Sequence, residues 1–238
     1  MDRFRWRVLK RWSGQKWDGW WGDHLDVRFE LGRKLRDLRD MRVIDVGCGS
    51  GILMAEIDES NLKVGIDESM SRLQKGKEIC PDGIFIRADI LHLPFKDGSF
   101  DAIVLGNVIE IFKEKEKFLE QVGRTGRRGC RILATTPNRE HWVYRGHPSL
   151  SDFDQVEKAL SVFQKVEILG YNPLPSLAFF LPLFIKNKIP RRWVQYLFLP
   201  SPIAAWVPGI EFLLRRLMKY KRLLRGCKAF LISAENAS

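Results

Sequence analysis

Three alternating glycines interrupt an apolar segment near the start of the chain, and they constrain the fold more than any other feature. Residues 41–46 form a short apolar run, Gly47, Gly49 and Gly51 follow, and apolar residues then recur with helical spacing over 52–57. Glycine tolerates positive φ angles and lets a ligand approach the backbone where a Cβ would collide. The pattern predicts a strand, a tight turn, and a helix whose first N–H groups face a ligand.

Acidic residues recur at the ends of the predicted strands. Asp45, Asp67 and Asp89 are each 22 residues apart, and each closes a short apolar run. A further apolar run covers residues 99–105. The carboxyl ends of parallel strands share one edge of a sheet, and open α/β folds bind ligands at that edge. The spacing therefore predicts a parallel sheet with carboxylates along its ligand-binding edge.

Four segments carry a family resemblance: D-V-G-C-G-S-G at 45–51, G-I-D-E-S-M at 65–70, A-D-I-L-H-L-P-F-K-D-G-S-F-D at 88–101, and G-N-V-I-E at 106–110. Together they resemble the class I S-adenosylmethionine-dependent methyltransferases over roughly residues 40–171 and the final strand. A dinucleotide-binding Rossmann protein is the alternative for the first two segments. Such a protein usually shows G-x-G-x-x-G, whereas the glycines here are spaced G-x-G-x-G.

The resemblance implies an α/β, Rossmann-like fold. Its seven-stranded, mostly parallel sheet has an antiparallel last strand, helices on both faces, and a hairpin joining the sixth and seventh strands. Apolar periodicity predicts helices over 25–41, 68–79, 113–122 and 151–163, with Ser151 as the N-cap of the last. It predicts the remaining strands over 129–136, 166–171 and 228–234.

The resemblance also implies a binding site for S-adenosylmethionine, whose demethylated product is S-adenosylhomocysteine. The glycine turn would approach the methionine half of the cofactor, Asp67 would accept both ribose hydroxyls, and Asp89 would accept from the adenine amino group. A helix N-cap is the alternative role for an acid at a strand end. The residues assigned to the cofactor are Asp45, Gly47, Cys48, Gly49, Gly51, Asp67, Glu68, Met70, Asp89, Ile90 and Asn107. Among them, Cys48 is interpreted as a packing residue and not as a nucleophile.

The catalytic group is less evident, because methyl transfer from a sulfonium mainly requires aligned reactants and a dry site. The commonest small-molecule subgroup of the family has Glu-His after the fourth strand, whereas this chain has Glu110 followed by Ile111. That difference removes a candidate base. His147, Tyr144 and His141 lie in a loop that resembles the family's substrate-facing segment, and they are the catalytic candidates, with a surface role as the alternative. No cluster with metal-ligand spacing is present, so the sequence predicts metal-independent activity.

Charge separates the chain into regions that we interpret as domains. The net charge of +11 lies mainly in residues 1–21, with six basic and two acidic residues, and in residues 172–228, with eleven basic and one acidic. We expect a basic aromatic arm over 1–24, a cofactor-binding core over 25–171, an apolar and basic insertion over 172–227, and a closing strand and tail over 228–238. Four scattered cysteines are typical of the reducing cytosol.

The basic segments also contain many aromatic residues. Five of the eight tryptophans lie in residues 1–21, so the arm either binds a membrane interface, covers the substrate, or packs on the domain. The insertion over 172–227 is interpreted as a lid or as a segment that contacts an anionic membrane, which would make the protein peripherally membrane-associated. Its apolar stretches are too short or too rich in proline to predict a transmembrane helix. The sequence does not predict an oligomeric state.

Three functions fit these observations. The favoured one is methylation of a small, lipid-like or apolar acceptor, since the apolar insertion stands where the family builds substrate covers. The second is methylation of RNA or another nucleic acid, which the pI of about 9.7 supports. Against it, residues 106–109 read G-N-V-I and lack the Asn/Asp-Pro-Pro-aromatic motif of amino-methylating DNA enzymes. The third is a binding protein without catalysis, which the complete set of cofactor motifs disfavours.

Overall fold

The computed structural model describes residues 25–140, 150–171 and 229–237. The α-helices are α1 (Leu25–Leu35), α2 (Met70–Ile79), α3 (Lys115–Thr125) and α4 (Phe153–Ala159), and short 3₁₀ helices cover Met54–Glu56, Ile109–Ile111 and Leu160–Val162. The strands are β1 (Arg42–Val46), β2 (Leu62–Asp67), β3 (Ile84–Arg87), β4 (Phe100–Gly106), β5 (Gly126–Pro137), β6 (Phe163–Tyr171) and β7 (Ala229–Asn236).

The seven strands of the described residues form one sheet in the order β3-β2-β1-β4-β5-β7-β6. Neighbouring strands from β3 to β5 pair in parallel, whereas β7 pairs antiparallel with both β5 and β6. The predicted Rossmann-like fold with an antiparallel last strand is therefore confirmed. The predicted pairing of the sixth and seventh strands is also present, although the chain between them lies outside the described residues.

Apolar side chains cover both faces of the sheet. On one face, helices α3 and α4 pack Phe118 and Phe153 against strand residues such as Ile103. On the other face, α1 packs Leu31 against residues that include Val104, the chain neighbour of Ile103. Because successive strand residues point to opposite faces, a strand covered on both sides must be apolar almost throughout. That requirement explains the continuous apolar runs in the sequence.

The helix predicted immediately after the glycine turn is wrong in extent. Only the single 3₁₀ turn Met54–Glu56 forms there. Asp58 ends it, because its Oδ1 accepts a hydrogen bond from the Ser60 amide at 3.1 Å and closes a local turn. The Asn61 side chain then donates to the Asp58 carbonyl at 3.0 Å, and β2 begins at the next residue.

The predicted N-cap Ser151 is also wrong. The cap of α4 is Asp152, whose carboxylate accepts from the Gln155 amide at 2.9 Å while the Gln155 side chain accepts from the Asp152 amide at 3.3 Å. This reciprocal capping box satisfies two N-terminal donors. Ser151 instead forms an isolated bridge with Asn138. The helix ends at Ala159, earlier than the predicted 163, and continues only as a 3₁₀ turn.

Other boundaries differ by a few residues. The helix predicted over 25–41 ends at Leu35, and the strand predicted from 129 begins at Gly126.

The predicted arm over 1–24, the insertion over 172–227 and the loop over 141–149 lie outside the described residues, so their predictions stay untested. Within the described part of the chain, no helix is long and apolar enough to cross a bilayer.

Candidate cofactor site

The predicted cofactor residues gather at the C-terminal edge of the parallel strands. Asp45 is buried in β1, where it is in register with Gly65 of β2. Asp67 is the last residue of β2, Asp89 follows the end of β3 by two residues, and Asn107 directly follows β4. The three aspartates therefore lie on the edge that their spacing predicted, and Asn107 lies on the same edge, as the family resemblance implied.

The three glycines of the turn all have positive φ, and each has a different reason for lacking a side chain. A Cβ on Gly47 would lie 2.8 Å from Val108 Cγ2, and a Cβ on Gly51 would lie 2.8 Å from Phe85 Cζ. A Cβ on Gly49 would meet nothing within 4 Å. Two glycines therefore permit packing inside the protein. Only Gly49 leaves open space beside the backbone, as a docking cofactor would require.

Asp67 connects this turn to the following helix. Its Oδ2 accepts from the Gly49 amide at 3.0 Å and its Oδ1 accepts from the Ser69 amide at 2.9 Å. The N-cap of α2 is Ser69, which accepts from the Arg72 amide, so an N-cap role for Asp67 is wrong. An ionised carboxylate offers about four acceptor positions. Two positions of this 9% exposed carboxylate therefore stay available for hydroxyl donors such as those of a ribose.

The predicted adenine end is more exposed. Asp89 accepts from the Leu91 amide at 2.8 Å and contacts His92 Nδ1 at 2.6 Å. These hydrogen bonds, that of His92 first, lower the pKa of the Asp89 carboxyl. Ile90 is buried, whereas the Met70 side chain is 49% exposed and available to pack against a planar ring. The contact with His92 was not predicted, and its only indication in the sequence is the spacing of three residues.

Glu68, also assigned to the cofactor, is exposed at the edge, and its backbone carbonyl accepts from Arg87 Nε at 3.0 Å. Cys48 lies in a small apolar cluster with Met54, Leu73 and Cys80. Burial raises the pKa of the Cys48 thiol far above its usual value, which keeps it protonated. The position of Cys48 agrees with the packing role expected from the sequence.

Asn107 occupies the reaction end of the site in an unusual conformation. Its φ is +56°, in the left-handed region, and only 3% of the residue is exposed. Its Oδ1 accepts from Thr135 Oγ1 at 2.7 Å, while Nδ2 has no hydrogen-bond partner among the described residues. A left-handed backbone and an unused buried donor at one residue are typical of a functional position.

A buried acid near this position was given no role by sequence reasoning. Glu110 lies in the 3₁₀ helix after β4 and is 3% exposed, and its Oε2 accepts from Thr136 Oγ1 at 3.2 Å. Burial lowers the pKa of Lys115, and the Glu110 carboxylate opposes that shift, so the two charges interact. The position of Glu110, three residues after Asn107, was the feature of the sequence that could have indicated its place in the site. The catalytic candidates His141, Tyr144 and His147 lie outside the described residues.

The acids at this edge do not form a metal site within the part of the chain that the structure describes. No group of three or more histidine, cysteine, aspartate or glutamate side chains is placed there to hold an ion. The features at the edge instead suit an organic ligand with hydroxyl groups and a planar ring: the open space at Gly49, the remaining acceptor positions of Asp67, and the exposed Met70.

The strand order and the glycine turn are typical of a Rossmann-like class I methyltransferase. Residues 37–172 match the family described as "Methyltransferase domain", so the chain belongs to this family and uses S-adenosylmethionine as its methyl donor. A demethylmenaquinone methyltransferase of Renibacterium salmoninarum is 33% identical over 69% of this chain and 60% of its own length. A ubiquinone/menaquinone biosynthesis C-methyltransferase of Campylobacter jejuni is 25% identical over 82% of this chain and 79% of its own length.

Solved structures share the fold at lower identity. A methyltransferase of Archaeoglobus fulgidus described as SAM-dependent superposes with a TM-score of 0.57 at 15% identity, covering 98% of this chain and 100% of its own. A phosphoethanolamine N-methyltransferase of Haemonchus contortus, determined in complex with S-adenosyl-L-methionine, gives a TM-score of 0.59 at 15% identity. That match covers 89% of this chain and 52% of the other.

Proposed function

We propose that this methyltransferase acts on a small, quinone-like apolar acceptor. The observation that carries the proposal is the similarity to two relatives named for quinone methylation, one over 82% and the other over 69% of this chain. The half-exposed apolar side chain of Ile111 next to Glu110, at the reaction end of the site, is consistent with such an acceptor. The apolar composition of residues 172–227 supports the same interpretation.

The chain's own residues have separate roles in this proposal. The cofactor, when bound, supplies a methyl group that its sulfonium has already activated. Asp67 would hold the ribose hydroxyls, and the Gly49 backbone would allow the methionine half to approach. Asn107 would lie beside the transferred methyl group, within reach of the cofactor's methionine half and of the acceptor, and Glu110 would lie on the acceptor side. Transfer converts the sulfonium to a neutral thioether, so a neutral acceptor must also lose one proton.

Transfer of labelled methyl groups tests the proposed acceptor. The purified protein is incubated with methyl-labelled S-adenosylmethionine and either a prenylated 1,4-dihydroxynaphthalene, kept reduced, or total RNA. We expect label in the naphthalene product. An Asp67→Ala variant controls for methylation that does not depend on the site. Label in RNA with none in the naphthalene would contradict the proposal and support the nucleic-acid alternative.

We further propose, from sequence alone, that residues 172–227 dock the enzyme on an anionic membrane surface. Each basic residue close to such a surface contributes ~1 kcal/mol, and salt weakens that contribution. The protein should co-sediment with anionic vesicles at low salt, and should lose this binding when residues 172–227 are replaced by a short turn. If the wild-type protein stays in the supernatant at low salt, membrane docking is contradicted and the lid interpretation of residues 172–227 is left.

A further inference from the structure

We propose that Thr135 orients the side-chain amide of Asn107 so that its Nδ2 donates to an oxygen atom of the ligand. The position would then select a hydrogen-bond-accepting oxygen and reject an ammonium group. Two ligand oxygens have this chemistry, the carboxylate of the cofactor's methionine half and a hydroxyl oxygen of the acceptor. The acceptor source rests on the proposed function, whereas the cofactor source does not.

The backbone of Asn107 is fixed by strand pairing. Gly106, the last residue of β4, is in register with Thr135 of β5. The Asn107 amide then donates to the Thr135 carbonyl at 3.0 Å, one residue beyond the end of β4. Its φ of +56° lies in the left-handed region, which few non-glycine residues occupy but in which asparagine is enriched.

The hydrogen bond to Thr135 distinguishes the two ends of the Asn107 amide. The distance between Thr135 Oγ1 and Asn107 Oδ1 is 2.7 Å, which is typical of O–H···O and shorter than the usual N–H···O separation of roughly 2.9–3.0 Å. Thr135 is fully buried, so its hydroxyl hydrogen requires an acceptor inside the protein. Asn107 Oδ1 is that acceptor, and Nδ2 therefore faces away from Thr135.

The remaining end of the amide then lacks a partner. Asn107 Nδ2 is buried and forms no hydrogen bond with any of the residues that the structure describes. Burying a donor without an acceptor costs free energy, and such groups are rare in native proteins. A ligand oxygen at the C-terminal edge of the sheet would satisfy it. Asn107 is the contacting residue in this arrangement, and Thr135 is a positioning residue.

Substitution of Asn107 by aspartate tests the polarity of this position. The change keeps the size and replaces an N–H donor by a carboxylate oxygen. Binding is measured by calorimetry with S-adenosylhomocysteine, with 5′-methylthioadenosine, which lacks the amino-acid portion, and with 1,4-dihydroxynaphthalene added to the S-adenosylhomocysteine complex. We expect Asn107→Asp to weaken binding about tenfold for the ligand that supplies the oxygen.

The ligands identify the source of that oxygen. Weaker S-adenosylhomocysteine binding with unchanged 5′-methylthioadenosine binding would assign the methionine carboxylate. Unchanged S-adenosylhomocysteine binding with weaker naphthalene binding would assign the acceptor. Tighter S-adenosylhomocysteine binding would show that the position meets the ammonium group and would overturn the inference, as would unchanged binding of both. If the wild type binds S-adenosylhomocysteine but not the naphthalene, the proposed acceptor is wrong, and the S-adenosylhomocysteine result alone decides this inference.

Substitutions of Thr135 test its positioning role. Thr135→Val removes the hydroxyl at nearly constant volume and should weaken binding of the same ligand severalfold. Thr135→Ser keeps the hydroxyl and should bind that ligand as the wild type does. Thr125→Val is a matched control, because Thr125 is also fully buried and its hydroxyl donates to the Val122 carbonyl at 2.7 Å at the end of α3. An equal loss of affinity in Thr125→Val would indicate general destabilisation and would overturn the role of Thr135.

Discussion

At the N-terminal edge of the parallel strands, Asp101 is bound by arginines, whereas at the C-terminal edge Asp67 is bound by backbone amides. Asp101 accepts from Arg42 Nε at 3.1 Å, lies 2.8 Å from Arg127 Nε, and also accepts from the Arg42 amide at 2.8 Å. Asp67 accepts from the amides of Gly49 and Ser69, and no lysine or arginine of the described residues forms an ion pair with it. Both acids lie at strand ends, and their partners give them different functions.

Arginine partners neutralise a carboxylate and occupy its oxygens, so Asp101 joins the starts of β1, β4 and β5 and has little capacity for a ligand. Backbone amides hold a carboxylate in place without cancelling its charge. Asp67 therefore stays a strong acceptor, with positions left for hydroxyl groups. The nature of the partner thus separates a structural acid from a binding acid at equivalent places in the sheet.

The largest expected effect is on cofactor affinity. Asp67→Ala should weaken S-adenosylhomocysteine binding by about 10- to 100-fold for each hydrogen bond lost, since a bond to a charged group contributes ~1.5–3 kcal/mol. Calorimetry measures the change. Asp101→Asn, at the opposite edge, should bind within about twofold of the wild type. Unchanged affinity in Asp67→Ala would show that Asp67 does not bind the ribose hydroxyls.

The glycine turn allows a sharper test, because two of its residues differ in what surrounds them. Gly51→Ala should lower the free energy of unfolding by about 2–4 kcal/mol, since a positive φ and a collision with Phe85 both oppose the new side chain. Gly49→Ala has the φ cost alone, about 1–2 kcal/mol, but should weaken S-adenosylhomocysteine binding. Urea denaturation and calorimetry separate the effects. Equal losses of stability would contradict the difference between the two positions.

At the N-terminal edge, Asp101→Asn should lower the free energy of unfolding by about 1–2 kcal/mol at neutral pH. The loss is modest because Arg42 and Arg127 are half exposed. Hydrogen bonding from Arg42 lowers the pKa of the Asp101 carboxyl in the folded state. Its contribution to stability is therefore present above the unfolded pKa of about 3.9 and is lost as the pH falls through the lower, folded value. Denaturation curves of wild type and variant should converge at low pH. A difference that did not shrink as the pH fell below about 3.9 would contradict this account.

The smallest expected effect is that of metal removal. The carboxylates described at the ligand edge are assigned to the cofactor and the acceptor, so treatment with a chelator should leave the methyl-transfer rate unchanged. The rate is measured before and after dialysis against EDTA. Activity lost in EDTA and restored by magnesium would show that the ligand edge includes an ion.

The features that could be predicted from the sequence are those set by neighbouring residues. The strand predicted to end at Asp67 does end there, because its apolar run is followed by turn residues and closed by that acid. The edge position of Asp45 followed from the same strand pattern, whereas that of Asn107 followed from the family resemblance. These features depend on periodicity and on the shared direction of parallel strands, which a single sequence displays.

Other features depend on contacts between distant segments. Nothing in the spacing of the glycines indicates that Phe85 packs against Gly51, 34 positions earlier in the chain. The hydrogen bond from Thr135 to Asn107 follows from the register of two strands that α3 separates. The early end of the helix after the glycine turn reflects a local turn at Asp58 that competed with helical spacing.

The position of β7 between β5 and β6 affects the order in which the molecule can fold. Strand β6 pairs only with β7 within the described residues, yet residues 172–228 separate the two in the chain. During synthesis, β1 to β5 can therefore assemble first, while β6 lacks its described partner until the 229–236 segment has emerged. Each doubling of a loop adds about 0.6 kcal/mol to the entropic cost of closing it. We expect this late, non-local pairing to be the slowest step of folding.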